Sequence, residues 1–271
     1  TALARPQGER CKAMKVASLA HTAIEKCAFK HGEASMLTTT MCGTQTWPGT
    51  NNFALLQGHG HIGSRSTGRA DSLPGGRYVS ACADPCLPSA IPDADRPVLT
   101  LVHDEGKYIE PTHFVPVLPL VLVNGTNGIG TGWSTQVPSY EVAAVLAATR
   151  ALIHSKDSEG PARFESTHLQ TPGYAWWKGT ATPVARPGAS AASAASAASA
   201  PASECASAFN LVGVCAIEGS SVRVTELPPH MWINDYKEKV EKLPFVAEAL
   251  VCGSDTDIDI LVKCTADAKL A

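Results

Sequence analysis

Residues 15–35, KVASLAHTAIEKCAFKHGEAS, predict two helices separated by a short turn. In the first helix, apolar side chains recur at the spacing i, i+3, i+4, i+7, i+8 and i+11, which places them on one face; they are Val16, Leu19, Ala20, Ala23, Ile24 and Cys27. Gly32 supplies the turn, and a second helix is predicted over about residues 33–46, ending before Pro48. This pattern predicts a helix-turn-helix unit, with an ordinary packed helical hairpin as the alternative.

Residues 57–77 contain six glycines and three arginines, too much glycine for a regular helix or a central strand. We expect a loop that can approach a ligand closely, and its arginines favour phosphate as that ligand. A solvated loop is the alternative. Tyr78 follows directly, and its hydroxyl needs nearby positive charge or a base to act as a nucleophile, because free tyrosine has a pKa of about 10. From spacing alone, a tyrosine at such a position is more often a packing residue.

The composition limits the class of protein. The 271-residue chain is 44% hydrophobic and 17% charged, so we expect a buried core. It has no run of 18 apolar residues, so we predict no membrane-spanning helix. Residues 1–80 carry 9 Lys and Arg against 4 Asp and Glu, whereas residues 81–271 carry 13 against 21. The N-terminal part is therefore the part suited to a polyanion.

Nine scattered cysteines, of which only Cys82 and Cys86 lie close together, favour reduced thiols in an intracellular compartment over a metal site. The chain begins Thr-Ala-Leu and shows no targeting signal, so we expect a fragment.

The rest of the chain predicts strands mixed with helices. A hairpin over residues 98–110 turns at 104–106, and a hairpin after a helix-turn-helix is what a winged-helix domain contains. Residues 114–123 form an apolar run that we expect to be buried and partly extended, before a glycine-rich turn at 124–133. Residues 186–207 repeat Ser-Ala-Ala and predict a low-complexity insertion. Further predicted elements are helices at 142–154 and 231–242 and strands at 211–217, 221–226 and 258–263.

Two motifs resemble metal or nucleotide sites. Asp255, Asp257 and Asp259 alternate before an apolar stretch, so we interpret them as the solvent face of a strand in preference to a magnesium site. The glycines between residues 125 and 130 resemble a phosphate loop, but no Lys-Ser/Thr pair follows, which argues against nucleotide binding.

Four blocks, in order along residues 15–264, resemble the breakage–reunion region of eukaryotic-type type IIA DNA topoisomerases (topoisomerase II). They include the motifs FKHGEAS (29–35), GHIGSR (60–65) with RY (77–78), NGTNGIGTGWS (124–134) and ELPPHMWINDYKE (226–238). The resemblance implies an α+β fold. A winged-helix DNA-binding and cleavage domain over residues 8–118 would precede part of a mixed α/β tower domain over residues 119–271.

The resemblance also implies roles for individual residues. Tyr78 matches the family's catalytic tyrosine, which attacks a DNA phosphodiester and holds the 5′-phosphate as a covalent ester. Arg77 matches the neighbouring arginine, which stabilises the charge that develops on phosphorus. Residues implied to contact DNA are Lys30, His31, Arg65, Arg69 and Ile129, the last as a wedge between base pairs that bends the duplex.

The chain departs from the family pattern at several positions. Lys30 replaces the first histidine of a His-His-Gly-Glu turn, and His61-Ile62 replace the usual Gln-Phe. The family's Gly-Gly-Lys-Asp is Gly-Arg-Ala-Asp at 68–71, so a DNA-contacting lysine is lost or shifted to Arg69. One extra residue lies before Arg77, and the added glycine loosens the loop that aims the tyrosine.

The function implied by the resemblance is that of an ATP-dependent DNA topoisomerase, an isomerase that passes one duplex through a double-strand break in another. Mg²⁺ and ATP would serve the whole enzyme and bind outside this segment, so this fragment alone is expected to be inactive. The implied partner is double-stranded DNA, the implied assembly a homodimer and the implied location the nucleus. The alternative is a non-catalytic winged-helix DNA-binding fragment of a degenerate topoisomerase gene.

Overall fold

The computed structural model describes residues 12–68, 76–155, 169, 171–184 and 208–265, and it confirms the predicted α+β class. None of the helices in these residues combines the length and the hydrophobicity that a membrane-spanning helix needs. The helices are α1 (Val16–Cys27), α2 (Glu33–Cys42), α3 (Leu87–Ala90), α4 (Leu120–Val123), α5 (Val142–Ser155) and α6 (Ile233–Glu241), with a 3-10 helix at Asp93–Val98. The strands are β1 (Met14–Lys15), β2 (Leu56–His59), β3 (Ser80–Ala83), β4 (Leu101–Asp104), β5 (Lys107–Pro111), β6 (Thr126–Gly130), β7 (Trp133–Val137), β8 (Thr180–Pro183), β9 (Phe209–Val212), β10 (Val214–Glu218), β11 (Ser221–Glu226), β12 (Val246–Val251) and β13 (Ile260–Cys264).

The N-terminal part is a helix-turn-helix packed on a small antiparallel sheet. The two predicted helices are confirmed as α1 and α2, and Gly32 lies in an extended conformation immediately before α2. Strand β3 lies at the centre of the sheet, between β1 and β2. Helices and sheet share a set of buried side chains that we call the N-terminal core: Val16, Leu19, Met41, Ile62, Val79 and Ala81.

The predicted wing is confirmed as the hairpin of β4 and β5. Its turn residues Glu105 and Gly106 have φ values of 47° and 80°. A two-residue hairpin turn with both φ values positive has the twist that matches its flanking strands. The predicted turn position was therefore correct, and the wing begins three residues later than the sequence suggested, at Leu101.

Two predictions for the central part of the chain were wrong. In the apolar run at 114–123, Val115, Val117 and Val121 are exposed, and Val123 is the fully buried member. The two prolines of this run cannot donate to a sheet ladder, so the segment does not join a sheet that would bury it. The glycine-rich turn at 124–133 is instead the hairpin of β6 and β7, which pair from Thr126 opposite Val137 to Gly130 opposite Trp133.

The C-terminal sheet has four antiparallel strands in the order β10, β11, β13, β12, and α6 contributes to its core. Helix α6 and strands β11 and β13 correspond to predicted elements, whereas β12 and β8 were missed. The strand predicted at 211–217 is divided at Gly213, where a side chain would collide with the carbonyl of Glu226. Its first half, β9, pairs with β8, and its second half, β10, pairs with β11.

Asp255, Asp257 and Asp259 are not on a strand face, as the sequence suggested, because β13 begins only at Ile260. They lie in the loop before it, where the Asp259 carboxylate accepts two hydrogen bonds from Nη1 of Arg223, at 2.7 and 2.9 Å.

The loop at 60–68 is attached to the C-terminal sheet through Arg65. Its guanidinium, 1% exposed, donates to the Glu226 carboxylate at 3.0 Å and to the carbonyls of Pro48 and Leu227 at 2.7 and 2.8 Å. Burial lowers the pKa of Arg65, and the negative charge of Glu226 opposes this shift. The pair is therefore a buried ion pair in which backbone carbonyls accept from both terminal nitrogens of Arg65, whereas Arg65 Nε is buried without a hydrogen-bond partner among the described residues.

The backbone of the same loop reinforces this attachment. The carbonyls of Arg65 and Ser66 accept hydrogen bonds from the first two amides of α6, Ile233 and Asn234, at 3.2 Å each. Amides at a helix N-terminus have no partner within the helix, so the loop acts as the cap of α6.

A second attachment uses asparagine side chains. Asn52 donates to the carbonyls of Tyr140 and Gly173, at 2.9 and 2.7 Å, and accepts from the amide of Ala175 at 2.8 Å. Asn124 and the backbone of Phe53 exchange two hydrogen bonds at 2.8 and 2.9 Å. These hydrogen bonds attach Asn52 and Phe53, which follow α2, to residues 124, 140, 173 and 175 further along the chain.

We predict that Arg65→Met lowers the free energy of unfolding by about 3–5 kcal/mol, because Glu226 is left buried without its charged partner. The double variant Arg65→Met, Glu226→Leu should regain part of the loss, since both charges are removed. Urea unfolding of the protein that contains this chain measures both effects. Glu238→Gln, which removes an exposed ion pair with Lys242, is the control and should leave the midpoint unchanged. An equally small effect of Arg65→Met would contradict the assignment of this pair as the main attachment.

Candidate functional site

Tyr78 lies at the edge of the N-terminal core, two residues before β3, and its side chain is 80% exposed. The next residue, Val79, is buried in that core, and its carbonyl accepts a hydrogen bond from the Val16 amide at 3.1 Å. The Tyr78 carbonyl accepts a hydrogen bond from Lys15 Nζ at 2.9 Å. The phenol is thus presented to solvent from a backbone that is fixed to the start of α1.

Arg77 lies beside Tyr78 in a short helical turn, and its side chain is also exposed. Gly76, the first described residue of this turn, lies against the Leu37 side chain of α2, where a Cβ would have too little space. The turn that carries Tyr78 therefore contacts α2 through Gly76 and the residue before α1, Lys15, through the Tyr78 carbonyl. Arg69, another predicted DNA contact, lies outside the described residues.

The turn between α1 and α2 presents His31 and Lys30. Both are exposed, and the His31 ring makes an edge contact with Phe29 at 5.2 Å between centroids. Lys30 Nζ lies 2.8 Å from Asp104 Oδ2 on the wing. Hydrogen bonding to Asp104 raises the pKa of Lys30 above its ordinary value, and the Asp104 and Glu105 charges contribute in the same direction. The predicted DNA contact is therefore already engaged by a carboxylate of the wing.

Arg65 does not occupy the position that its predicted role requires. A guanidinium that binds a DNA phosphate must be accessible, and Arg65 is enclosed between the loop and the C-terminal sheet. The structure corrects this prediction, and Arg65 holds the loop in place beneath the surface. Its partner Glu226 was not singled out from the sequence, although it opens the ELPPHMWINDYKE motif.

Ile129 is 92% exposed on the hairpin of β6 and β7, and Trp133 on the same hairpin is 83% exposed. Since Ile129 pairs with Ser134 and Gly130 pairs with Trp133, the two large apolar side chains lie on opposite faces. The sequence did not single out Trp133, because a tryptophan among glycines gives no periodic signal.

Comparisons with known proteins show the family to which the chain belongs. The family of DNA gyrase/topoisomerase IV A-subunits matches residues 5–269. DNA topoisomerase 2-alpha of Rattus norvegicus is 31% identical over 268 residues, which is 95% of this chain and 16% of that protein. DNA topoisomerase 2 of Arabidopsis thaliana is 30% identical over 255 residues, which is 92% of this chain and 16% of that protein.

A solved structure gives a similar result. The DNA-binding, cleavage and re-ligation domain of Plasmodium falciparum topoisomerase II superposes with a TM-score of 0.76 at 28% identity, over 94% of this chain and 32% of that one. The chain therefore belongs to the DNA gyrase/topoisomerase IV A-subunit family, and it spans about one sixth of the length of the type II topoisomerases it matches.

We predict that Asp104→Asn lowers the pKa of Lys30 towards its ordinary value, because the variant removes the carboxylate that raises it most. Glu105→Gln is the matched control, since it removes the same charge one residue away without a direct bond to Lys30, and it should lower the pKa less. An NMR titration of the lysine side-chain resonances measures both. An equal decrease of the Lys30 pKa in the two variants would show that the negative charge of the wing as a whole raises this pKa, and not the direct bond to Asp104.

Proposed function

We propose that the protein containing this chain is a type II DNA topoisomerase and that Tyr78 is its nucleophile. The observation that carries the proposal is an exposed tyrosine, beside an exposed arginine, on a backbone that is fixed to a helix-turn-helix core. Membership of the family supports the proposal. The Plasmodium structure, described by its name as a DNA-binding, cleavage and re-ligation domain, supports it further.

The proposed reaction is a transesterification. The Tyr78 oxygen attacks the phosphorus of a DNA phosphodiester and loses its proton, a 5′-phosphotyrosyl ester forms, and the 3′-oxygen of the neighbouring nucleotide leaves and takes up a proton. Religation reverses each step. While the strand is open, the phosphotyrosyl ester conserves the energy of the broken phosphodiester bond. In this proposal Arg77 stabilises the negative charge that develops on the phosphoryl oxygens.

The proposed DNA-binding surface consists of the α1–α2 turn with Lys30 and His31 and the hairpin with Ile129, and Arg69 stays a proposed DNA contact. On this surface Lys30 exchanges Asp104 for a DNA phosphate. Each phosphate contact made by a cation adds about 0.9 to the magnitude of the slope of the logarithm of the DNA-binding constant against the logarithm of the salt concentration. Ile129, with little protein around it, can enter the stack at an unstacking cost of a few kcal/mol. Arg65 supports this surface from beneath.

The whole enzyme is proposed to use Mg²⁺ and ATP, as topoisomerases of this kind do. The described residues do not fit either group. They contain no cluster of three His, Cys, Asp or Glu side chains that could hold a metal, and the segment from Gly125 to Gly130 is mostly a β-strand in a hairpin, not a phosphate loop. The resemblance to topoisomerase II implies that both sites lie in other parts of the protein. We also propose a homodimer, because a double-strand break made with one tyrosine per chain needs two chains. The resemblance to eukaryotic topoisomerase II is the reason for proposing a nuclear location.

We predict that Tyr78→Phe abolishes cleaved complexes and relaxation of supercoiled DNA, because it removes the attacking oxygen. The assay uses the full-length protein with Mg²⁺, ATP and supercoiled plasmid, stopped by detergent. Tyr108→Phe is the matched control, because Tyr108 is another exposed tyrosine, on the wing, and this variant should cleave normally. DNA binding without cleavage by the unmodified protein would favour the non-catalytic alternative, and normal cleavage by Tyr78→Phe would exclude Tyr78 as the nucleophile.

A further inference from the structure

The direction of the Tyr78 side chain depends on its backbone. With 80% of the side chain exposed, little of the protein packs around the ring to hold it. Two glycines precede Arg77 in the sequence, so no side chain at these two positions can help to hold the turn. The contacts that follow Tyr78 must therefore supply the rigidity that an attacking group needs.

Those contacts come from the junction of β1 and α1. Val79 is buried, and its carbonyl accepts from the Val16 amide. Lys15 is the last residue of β1 and pairs with Ser80 of β3. From there its side chain extends past the start of β3, and Nζ donates to the Tyr78 carbonyl at 2.9 Å. The peptide that joins Tyr78 to Val79 is thus held by a charged side chain at its own oxygen.

We propose that Lys15 is a positioning residue for the cleavage step. By fixing the Tyr78 carbonyl it limits rotation of the peptide after the tyrosine, and so fixes the direction in which the phenol leaves the backbone. This inference rests on the proposed role of Tyr78. Catalysis is sensitive to such fixing, because a displacement of about 1 Å at a reacting group can reduce a rate a hundredfold.

Lys15 is itself exposed, as a side chain that contacts the phosphate directly would also be. The two roles predict different results. A phosphate contact contributes to binding and to its salt dependence, whereas a bond to the protein's own carbonyl contributes to neither. A bond that only stabilises the fold would change the unfolding midpoint and the rate together.

The test compares Lys15→Met, Lys15→Arg and the control Lys12→Met in the full-length protein. Lys12 is an exposed lysine three residues away, so the control removes the same charge from the same neighbourhood. The measurements are the rate of covalent complex formation at saturating DNA, the dissociation constant for a duplex at several salt concentrations, and the midpoint of thermal unfolding.

We expect Lys15→Met to form the covalent complex about tenfold more slowly, with the dissociation constant, salt slope and unfolding midpoint unchanged. Lys15→Arg should recover most of the rate because it retains a donor, and Lys12→Met should react at the normal rate. A salt slope lower by about 0.9 in Lys15→Met would make Lys15 a phosphate contact. An unchanged rate, or a rate loss matched by a lower midpoint, would also overturn the inference. If the unmodified protein forms no complex at Tyr78, the proposed function fails first and the inference fails with it.

Discussion

The buried pair of Arg65 and Glu226 is the contact on which the arrangement of the two halves depends. Glu226 Oε1 also accepts from the Leu227 amide at 2.9 Å, and Oε2 accepts from the Lys178 amide at 3.2 Å, so the carboxylate is well satisfied. Taking two charges out of water is costly, and good geometry with further hydrogen bonds is what compensates for it. Because the Arg65 backbone also caps α6, one residue links the glycine-rich loop, the end of β11 and the start of α6.

This attachment explains how a loop rich in glycine can belong to a defined surface. The loop is fixed at Arg65, and the chain is fixed again at Val79, where it enters the N-terminal core. Tyr78 lies just before the second fixed point, and its exposed ring faces solvent. The fold therefore combines a rigid support with an accessible hydroxyl, which is what the proposed covalent step requires.

Much of this architecture was predictable from the sequence, for local reasons. The apolar stripe of α1 and the Asp-Glu-Gly turn of the wing are signals carried by neighbouring residues, and both were confirmed. The role of Arg65 was not predictable in the same way, because an arginine among glycines has the composition of a phosphate loop and its partner lies 161 residues further on. Strands β2, β3 and β8 were missed because they have four residues each, and β12 was missed because its six residues, VAEALV, show little alternation. The exposure of Val115 and Val117 shows that an apolar run indicates burial only where the chain can pair or pack.

The most direct test of the account is to identify the residue that becomes attached to DNA. The full-length protein would be incubated with supercoiled DNA, Mg²⁺ and ATP and denatured abruptly. After protease digestion, the peptide that remains on the DNA would be sequenced by mass spectrometry. The account predicts a peptide that contains Arg77 and Tyr78, with a nucleotide on the Tyr78 oxygen and the 3′-hydroxyl of the DNA free. An attached peptide from any other part of the chain, or no attached peptide while DNA remains bound, would contradict it.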